Sequence, residues 1–254
     1  MTEYTVRQIN RAKALSRRMY KLPNGERIYL RFPKYQRIEH QTLILSFFTL
    51  SFSGLVQRYS HLKIANYIIN QLLGGINNVQ FIHHVAASIF IAQSIYHFAK
   101  IIRMLLIDQE LGYMWPTKKD FLDIWGIFLY NIGKKDAKPL FDRFTVEEKL
   151  EYWALIWVNI IMIITGLIQG FPVFFTKFFS REILPISKAI HSWEAVLAVL
   201  VVLIWHTYHV LVKEKNNSIF TGYLTENQMK ENHPLELIRI LEAIAFMKEI
   251  SKIP

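Results

Sequence analysis

Nine histidines carry most of the chemical capacity of this sequence, and seven of them fall in or beside stretches that are otherwise almost entirely apolar. "QFIHHVAASIFIAQSIYHFAKII", residues 80–102, holds His83, His84 and His97. "ISKAIHSWEAVLAVLVVLIWHTYHVLV", residues 186–212, holds His191, His206 and His209, and His40 opens "HQTLILSFFTLSFSGLVQ" at 40–57. An imidazole presents one N–H and one lone pair, and both are costly in hydrocarbon unless a partner satisfies them. Metal coordination, proton transfer and interhelical hydrogen bonding are the three chemistries that repay such placement. His61 and His233 lie in polar connections and read as solvated surface groups.

The elements that must position these rings are membrane-spanning helices. The chain has 254 residues, 52% of them hydrophobic and 14% aromatic, with mean hydropathy +0.19, too apolar for an ordinary soluble domain. Four apolar stretches reach the roughly 20 residues that a helix needs to cross a bilayer. They run from about His40 to Gln57, Val79 to Met104, Tyr152 to Phe171 and Ile186 to Val212, the first extending back through Arg37 or Ile38. Helices are required because backbone groups in lipid must be satisfied within each span. Lysine and arginine number ten in residues 1–39, nine in 100–150 and six from 213 onward, against two in 58–78 and three in 172–188. The positive-inside rule therefore puts both termini and the connection between spans two and three in the cytoplasm. The expected fold is an all-α membrane protein, a four-transmembrane-helix bundle oriented N-in/C-in. Its segments are a basic cytoplasmic stretch (1–39), a four-helix membrane domain (40–213) and an amphipathic cytoplasmic tail (214–254).

Residues 61–75, 117–135 and 233–250 alternate at helical spacing and read as amphipathic helices, the first two lying on opposite membrane surfaces. No signal-peptide pattern and no internal repeat is read in the sequence. The formal charge of +10 follows the cytoplasmic segments, so it points to membrane orientation and not to nucleic acid. The absence of cysteine excludes disulfides, thiolate catalysis, cysteine-ligated iron–sulfur clusters and thioether-linked haem.

Depth along the helices sorts the histidines. At ~1.5 Å and ~100° per residue, His83 and His97 are about 21 Å apart and within about 40° of one face. His84 is about 140° from His97 and turns to a haem propionate, lipid headgroups or another helix. His191 and His206 are about 22 Å apart and about 60° around, whereas His209 is in line with His191 but about 27 Å away. Two helices thus offer imidazoles at two matching depths, which suits two haems stacked across the membrane, each gripped from facing helices. Gly54, Gly166 and Gly170 offer places where a macrocycle approaches backbone. A bare zinc or iron site would want carboxylates beside the histidines, and only Glu194 is available, three residues after His191, where it could orient that ring.

Four pieces in order give a family resemblance: "RFPKYQRIEHQTLILSFFTLSFSGL" (31–55), "IHHVAA" (82–87), "FTVEEKLEYWALIWVNIIMIITGL" (144–167) and "IHSWEAVLAVLVVLIWHTYHVLV" (190–212). The chain resembles the dihaem cytochrome b subunits that anchor respiratory formate dehydrogenases and hydrogenases to the membrane. The resemblance implies an outer haem b held by His83 and His191, an inner haem b held by His40 and His206, and quinone or menaquinone exchanged beside the inner haem. Two departures stand out. The helix-4 histidines of the family are commonly one residue closer, which requires a local bulge here or a shifted pairing. The quinone-lining stretch before helix 3 reads "FTVEEK", leaving Thr145, Glu147, Glu148 and Lys149 as candidates for quinone contact and proton delivery. His97, His209 and His84 are additional; the first two offer an alternative inner ligand, a third haem or a quinone contact.

The expected function is an integral b-type cytochrome of a prokaryotic cytoplasmic membrane, passing electrons between a partner subunit and the quinone pool. That partner would be an iron–sulfur or multihaem cytochrome subunit, and it or its complex would perform the primary catalysis. A transporter or proton channel using histidine relays is the alternative; its signatures, paired repeats and broken helices with an acidic path, are not seen.

Overall fold

The computed structural model describes residues 4–106 and 112–251. In order, the elements are α1 (Val6–Ser16), β1 (Met19–Lys21), β2 (Arg27–Leu30), α2 (Lys34–Arg58), α3 (Lys63–Tyr67), α4 (Ile76–Leu106), α5 (Lys118–Asn131) and α6 (Val146–Gly170). There follow α7 (Pro172–Phe175), α8 (Ile183–Leu200), α9 (Ser218–Thr221), β3 (Tyr223–Thr225), α10 (Glu226–Asn232) and α11 (Pro234–Ile250). π-Helical turns over Ile68–Leu72 extend α3, and others over Val201–His206 and Tyr208–Lys213 carry the helix of α8 through to Lys213. The chain divides into two compact units, one of Met1–Arg37, Leu111–Tyr152 and Asn216–Pro254, the other of Ile38–Glu110 and Trp153–Lys215.

Among the described residues three helices are long and apolar enough to cross a membrane: Ile76–Leu106, Val146–Gly170 and Ile183–Lys213. Their apolar windows are only 11–17% buried, so most of these side chains face outward, as they do where the solvent is lipid. α2 has the length, 25 residues, but its apolar run is diluted by Thr42, Ser46, Thr49, Ser51 and Ser53. Several of these hydroxyls are satisfied within the helix, Thr42, Ser46, Thr49 and Ser53 each bonding the carbonyl four residues back at 2.6–3.0 Å.

The unit built from the chain's polar segments departs from the all-α expectation. A three-stranded antiparallel sheet, in the order β1-β2-β3, pairs Tyr29 with Met19 on one side and with Leu224 on the other. The strands have three or four residues each, too short to show an alternation in sequence, and β3 comes from a distant part of the chain. Tyr29, Leu224, Met229, Leu237 and Ile240 form the core of this unit, with Leu15, Met19 and Ile244 packed against them. Gly222 takes φ +93°, which lets α9 end and deliver β3 to the sheet.

Charge organises the rest of this unit. Glu236, almost fully buried, accepts from Arg18 at 2.7 Å and from Arg143 at 2.8 Å, with Arg31 at 3.6 Å. Arg31 also grips Glu148 through both carboxylate oxygens at 2.8 and 3.0 Å. Removing one member of such a set leaves buried charge uncompensated, at a cost of about 3–5 kcal/mol.

α5 is polar inside and apolar outside. It buries Asp120, Asp123 and Gly126, while Phe121, Leu122 and Trp125 are 71%, 72% and 60% exposed. Gly126 is required because a Cβ there would lie 2.7 Å from Pro139 Cγ. Asp120 accepts from the Thr117 backbone N–H at 2.6 Å and hydroxyl at 2.8 Å and pairs with Lys149 at 2.8 Å. Burial works against the carboxylate form, but the Lys149 and Thr117 hydrogen bonds outweigh it and hold Asp120 below the ordinary carboxylate value.

His233, read from sequence as a surface group, is fully buried, its Nδ1 lying 2.9 Å from the Asp142 carbonyl. Burial first, and the Arg31 charge second, push its pKa below the usual 6.5 despite Glu148 and Glu236. The unfolded chain therefore takes up this proton first on acidification, and the stability His233 contributes is complete above the ordinary histidine range and declines as pH falls below it. Unfolding of this unit, followed by limited proteolysis, should become easier from about pH 7 to about pH 5, and His233→Gln should flatten that component of the profile.

Candidate functional site

The apolar unit brings the histidines together in pairs. His83 on α4 and His191 on α8 have ring centroids 6.5 Å apart. His40 on α2 and His206, at the end of the first π-helical turn beyond α8, have centroids 6.4 Å apart. That turn falls between His191 and His206, the interval in which the resemblance called for a bulge or a shifted pairing. A π-helical turn absorbs an added residue without breaking the helix.

Each ring of the first pair is oriented from a different helix. Ser53 Oγ lies 2.8 Å from His83 Nδ1, and Thr165 Oγ1 lies 2.9 Å from His191 Nδ1. Both hydroxyls donate to the carbonyl four residues back, Ser53 to Thr49 at 2.6 Å and Thr165 to Ile161 at 2.7 Å. With its single proton committed there, each hydroxyl oxygen accepts from Nδ1–H, which leaves the Nε2 lone pair of the histidine for a metal. Thr165 thus holds His191, the role for which the sequence suggests Glu194. Gly54 and Gly166 follow these hydroxyl residues and make room: a Cβ would stand 3.4 Å from His83 Cε1 and 3.3 Å from His191 Cε1. Gly170 has open space beside it and no such contact.

In the second pair His40 Nδ1 is buried with no hydrogen-bond partner among the described residues. The neighbouring Glu39 collects Lys100 at 2.6 Å and His97 Nδ1 at 3.4 Å, while Gln93 donates to its carbonyl at 2.7 Å. His209 is buried, with Nε2 3.1 Å from Glu214 Oε1 and its ring against Trp205. His84 is exposed on α4, its ring 6.5 Å from that of His83. His61 is exposed.

In the lead-in to α6, Thr145 and Glu148 form a reciprocal cap: Thr145 N–H donates to Glu148 at 2.8 Å, and Glu148 N–H to the Thr145 hydroxyl at 3.2 Å. The pattern Thr-x-x-Glu announces this cap in sequence. Lys149 reaches Asp120, and Glu147 is partly buried at the start of α6.

The pairs fit a haem better than a bare ion. Two imidazole nitrogens each about 2 Å from a shared metal set ring centroids roughly 6 Å apart. Both pairs meet that spacing, so His83 with His191 and His40 with His206 would hold a haem iron, whose macrocycle would supply its other ligands. Among the described residues no cluster of three or more histidine and carboxylate side chains is arranged to hold a metal ion unaided.

Paired intramembrane imidazoles on long apolar helices define the class of membrane b-type cytochromes. Comparison with known proteins agrees: the family described as prokaryotic cytochrome b561 matches residues 31–222, and the chain belongs to it. The formate dehydrogenase cytochrome b556 subunit of Haemophilus influenzae is 24% identical over 199 residues, 78% of this chain and 77% of that protein. The nitrate-inducible formate dehydrogenase cytochrome b556(Fdn) subunit of Escherichia coli is 21% identical over 199 residues, 77% and 83% of the two chains. A second Escherichia coli relative, the formate dehydrogenase cytochrome b556(fdo) subunit, is 30% identical over 93 residues, 36% and 43% of the two chains.

Gly166→Val places branched methyls against the His191 ring, and Gly54→Val does the same at His83. Each should lower the haem-to-protein ratio of the purified chain, measured by pyridine haemochrome absorbance, while Gly170→Ala, with open space around it, should leave the ratio unchanged.

Proposed function

We propose that this chain is the membrane-embedded electron carrier of a formate dehydrogenase-like oxidoreductase, linking a redox partner subunit to the quinone pool through two bis-histidine haems b. His83 and His191 bind the outer haem, and His40 and His206 bind the inner one. The observation that carries this reading is the meeting of two imidazole pairs at a spacing suited to a shared iron. Each haem, when bound, supplies a site that accepts and releases one electron.

The chain's own residues do the rest. Ser53 and Thr165 hold the outer rings, and the apolar helices keep water from the metal sites. The polar lead-in to α6, with Thr145, Glu147, Glu148 and Lys149, contacts the quinone and moves its protons. α2 forms the fourth span of the bundle, both termini are cytoplasmic, and the complex sits in the cytoplasmic membrane. The lysine and arginine distribution supports that orientation, and so does α5. Its apolar face of Phe121, Leu122 and Trp125, flanked by Lys118, Lys119, Lys134 and Lys135, suits the inner leaflet surface, where anionic headgroups meet the lysines. Formate dehydrogenase partnership is drawn from the relatives; the partner is an iron–sulfur or multihaem electron-transfer subunit.

A reduced-minus-oxidised spectrum of the purified chain should show b-type alpha bands, and a folded but colourless preparation ends this reading. His191→Ala should remove one haem and retain the other. His40→Ala should remove the second, whereas His97→Ala should retain both; loss of haem in the His97 variant would transfer the inner ligand to that residue.

A further inference from the structure

A five-residue pattern occurs twice in this chain: Ser53-Gly54-Leu55-Val56-Gln57 in α2 and Thr165-Gly166-Leu167-Ile168-Gln169 in α6. Its parts do the same work in both places. The hydroxyl takes the Nδ1 hydrogen bond of a histidine on another helix, at 2.8 Å in one copy and 2.9 Å in the other. The hydroxyl proton goes to the carbonyl four residues back, at 2.6 and 2.7 Å. Glycine admits the ring edge, with an added Cβ falling 3.4 and 3.3 Å from Cε1. Glutamine, four residues after the hydroxyl, donates its Nε2 to the carbonyl of that hydroxyl residue at 3.0 and 3.2 Å. One local device is therefore built twice, and both copies serve the His83–His191 pair. At the other pair, His40 Nδ1 is buried without such an acceptor.

We propose that Ser53 and Thr165 are matched positioning residues that make His83 and His191 stronger axial donors than His40 and so hold the outer haem at the lower redox potential. The proposal rests on the haem assignment above. Its physical basis is the chain carbonyl–hydroxyl–imidazole. A hydroxyl whose proton is drawn to a carbonyl is a better acceptor, so it polarises the Nδ1–H bond and pushes electron density toward Nε2. An imidazole polarised in this way stabilises the oxidised metal over the reduced one, and the hydrogen bond simultaneously fixes the ring's tautomer and tilt. The buried His40 Nδ1, with no acceptor, gives its metal no comparable help. A requirement for ring orientation alone would place an acceptor on every ring; His83 and His191 each have one, and among the described residues the buried His40 Nδ1 has none.

Potentiometric titration of the full chain in lipid nanodiscs tests this. The wild type should titrate in two one-electron steps. Ser53→Ala and Thr165→Ala should each raise the lower step and leave the upper one in place, a tenfold change in the oxidised-to-reduced ratio being about 59 mV for one electron. Ser53→Thr and Thr165→Ser keep an acceptor and should restore the wild-type value. A lower step that stays put with both haems retained, or a shift in the upper step alone, overturns the proposal. If an alanine variant loses haem, nitrogen-15 spectra of the haem-free chain give the second readout. His83 and His191 should be single Nδ1–H tautomers in the wild type and mixed in the matching variant; unchanged spectra overturn the proposal. The failure modes are distinct, since missing haem bands in the wild type would refute the haem assignment, while intact bands with an unmoved lower step refute only the role of the hydroxyls.

Discussion

The interaction on which this structure depends is the hydrogen bond between a helix hydroxyl and an imidazole nitrogen that is costly to leave bare among apolar side chains. In the His83–His191 pair, one nitrogen of each ring meets a hydroxyl from a neighbouring helix. This divides α2, α4, α6 and α8 into two kinds. α4 and α8 present the rings of His83 and His191, and α2 and α6 present the small residues and hydroxyls that receive them. The glycines that admit the rings are as necessary as the hydroxyls that hold them, because a methyl at either place would crowd Cε1. α2 adds a second duty by contributing His40, and its hydroxyl-rich composition follows from carrying polar contacts on a helix of modest hydropathy.

The other unit solves a different problem, which is to make polar and basic segments distant in sequence cohere. It does so with a small apolar core around Tyr29 and Ile240 and with Glu236 as a shared counter-charge for three arginines. The sheet is a fastener more than a scaffold: three-residue β1 and β3 on either side of β2 fix Tyr29 at the centre of that core. Glu148 belongs to the same network through Arg31 and also caps α6, so the start of a membrane-crossing helix and the packing of this unit share one carboxylate.

Much of the architecture was legible in the sequence because apolar length is a strong signal. Spans read at about Val79–Met104, Tyr152–Phe171 and Ile186–Val212 correspond to α4, α6 and the α8 helix, each of which is longer than its apolar run. Rise per residue orders the histidines along each helix, but it does not say which rings meet; that His83 lies beside His191 and His40 beside His206 depends on how the helices pack. The sheet was hidden because Leu224 pairs with Tyr29 across most of the chain, and nothing local in three residues announces that register. The Ser53 and Thr165 pattern was present but obscured: a five-residue similarity is invisible to a search for repeats of whole structural units, and it acquires meaning only when both hydroxyls are found on histidines. His233 was misread because a lone histidine before Pro234 resembles a surface cap, while its burial depends on α11 folding over Asp142.

The widened turn over Val201–His206 decides where His206 faces. A coil that takes in more residues per turn than an α-helix rotates each successive residue less, so the ring at its end faces a side that a regular helix would not give it. Restoring an ordinary α-helical coil here would swing His206 away from His40 with no residue beside either ring altered.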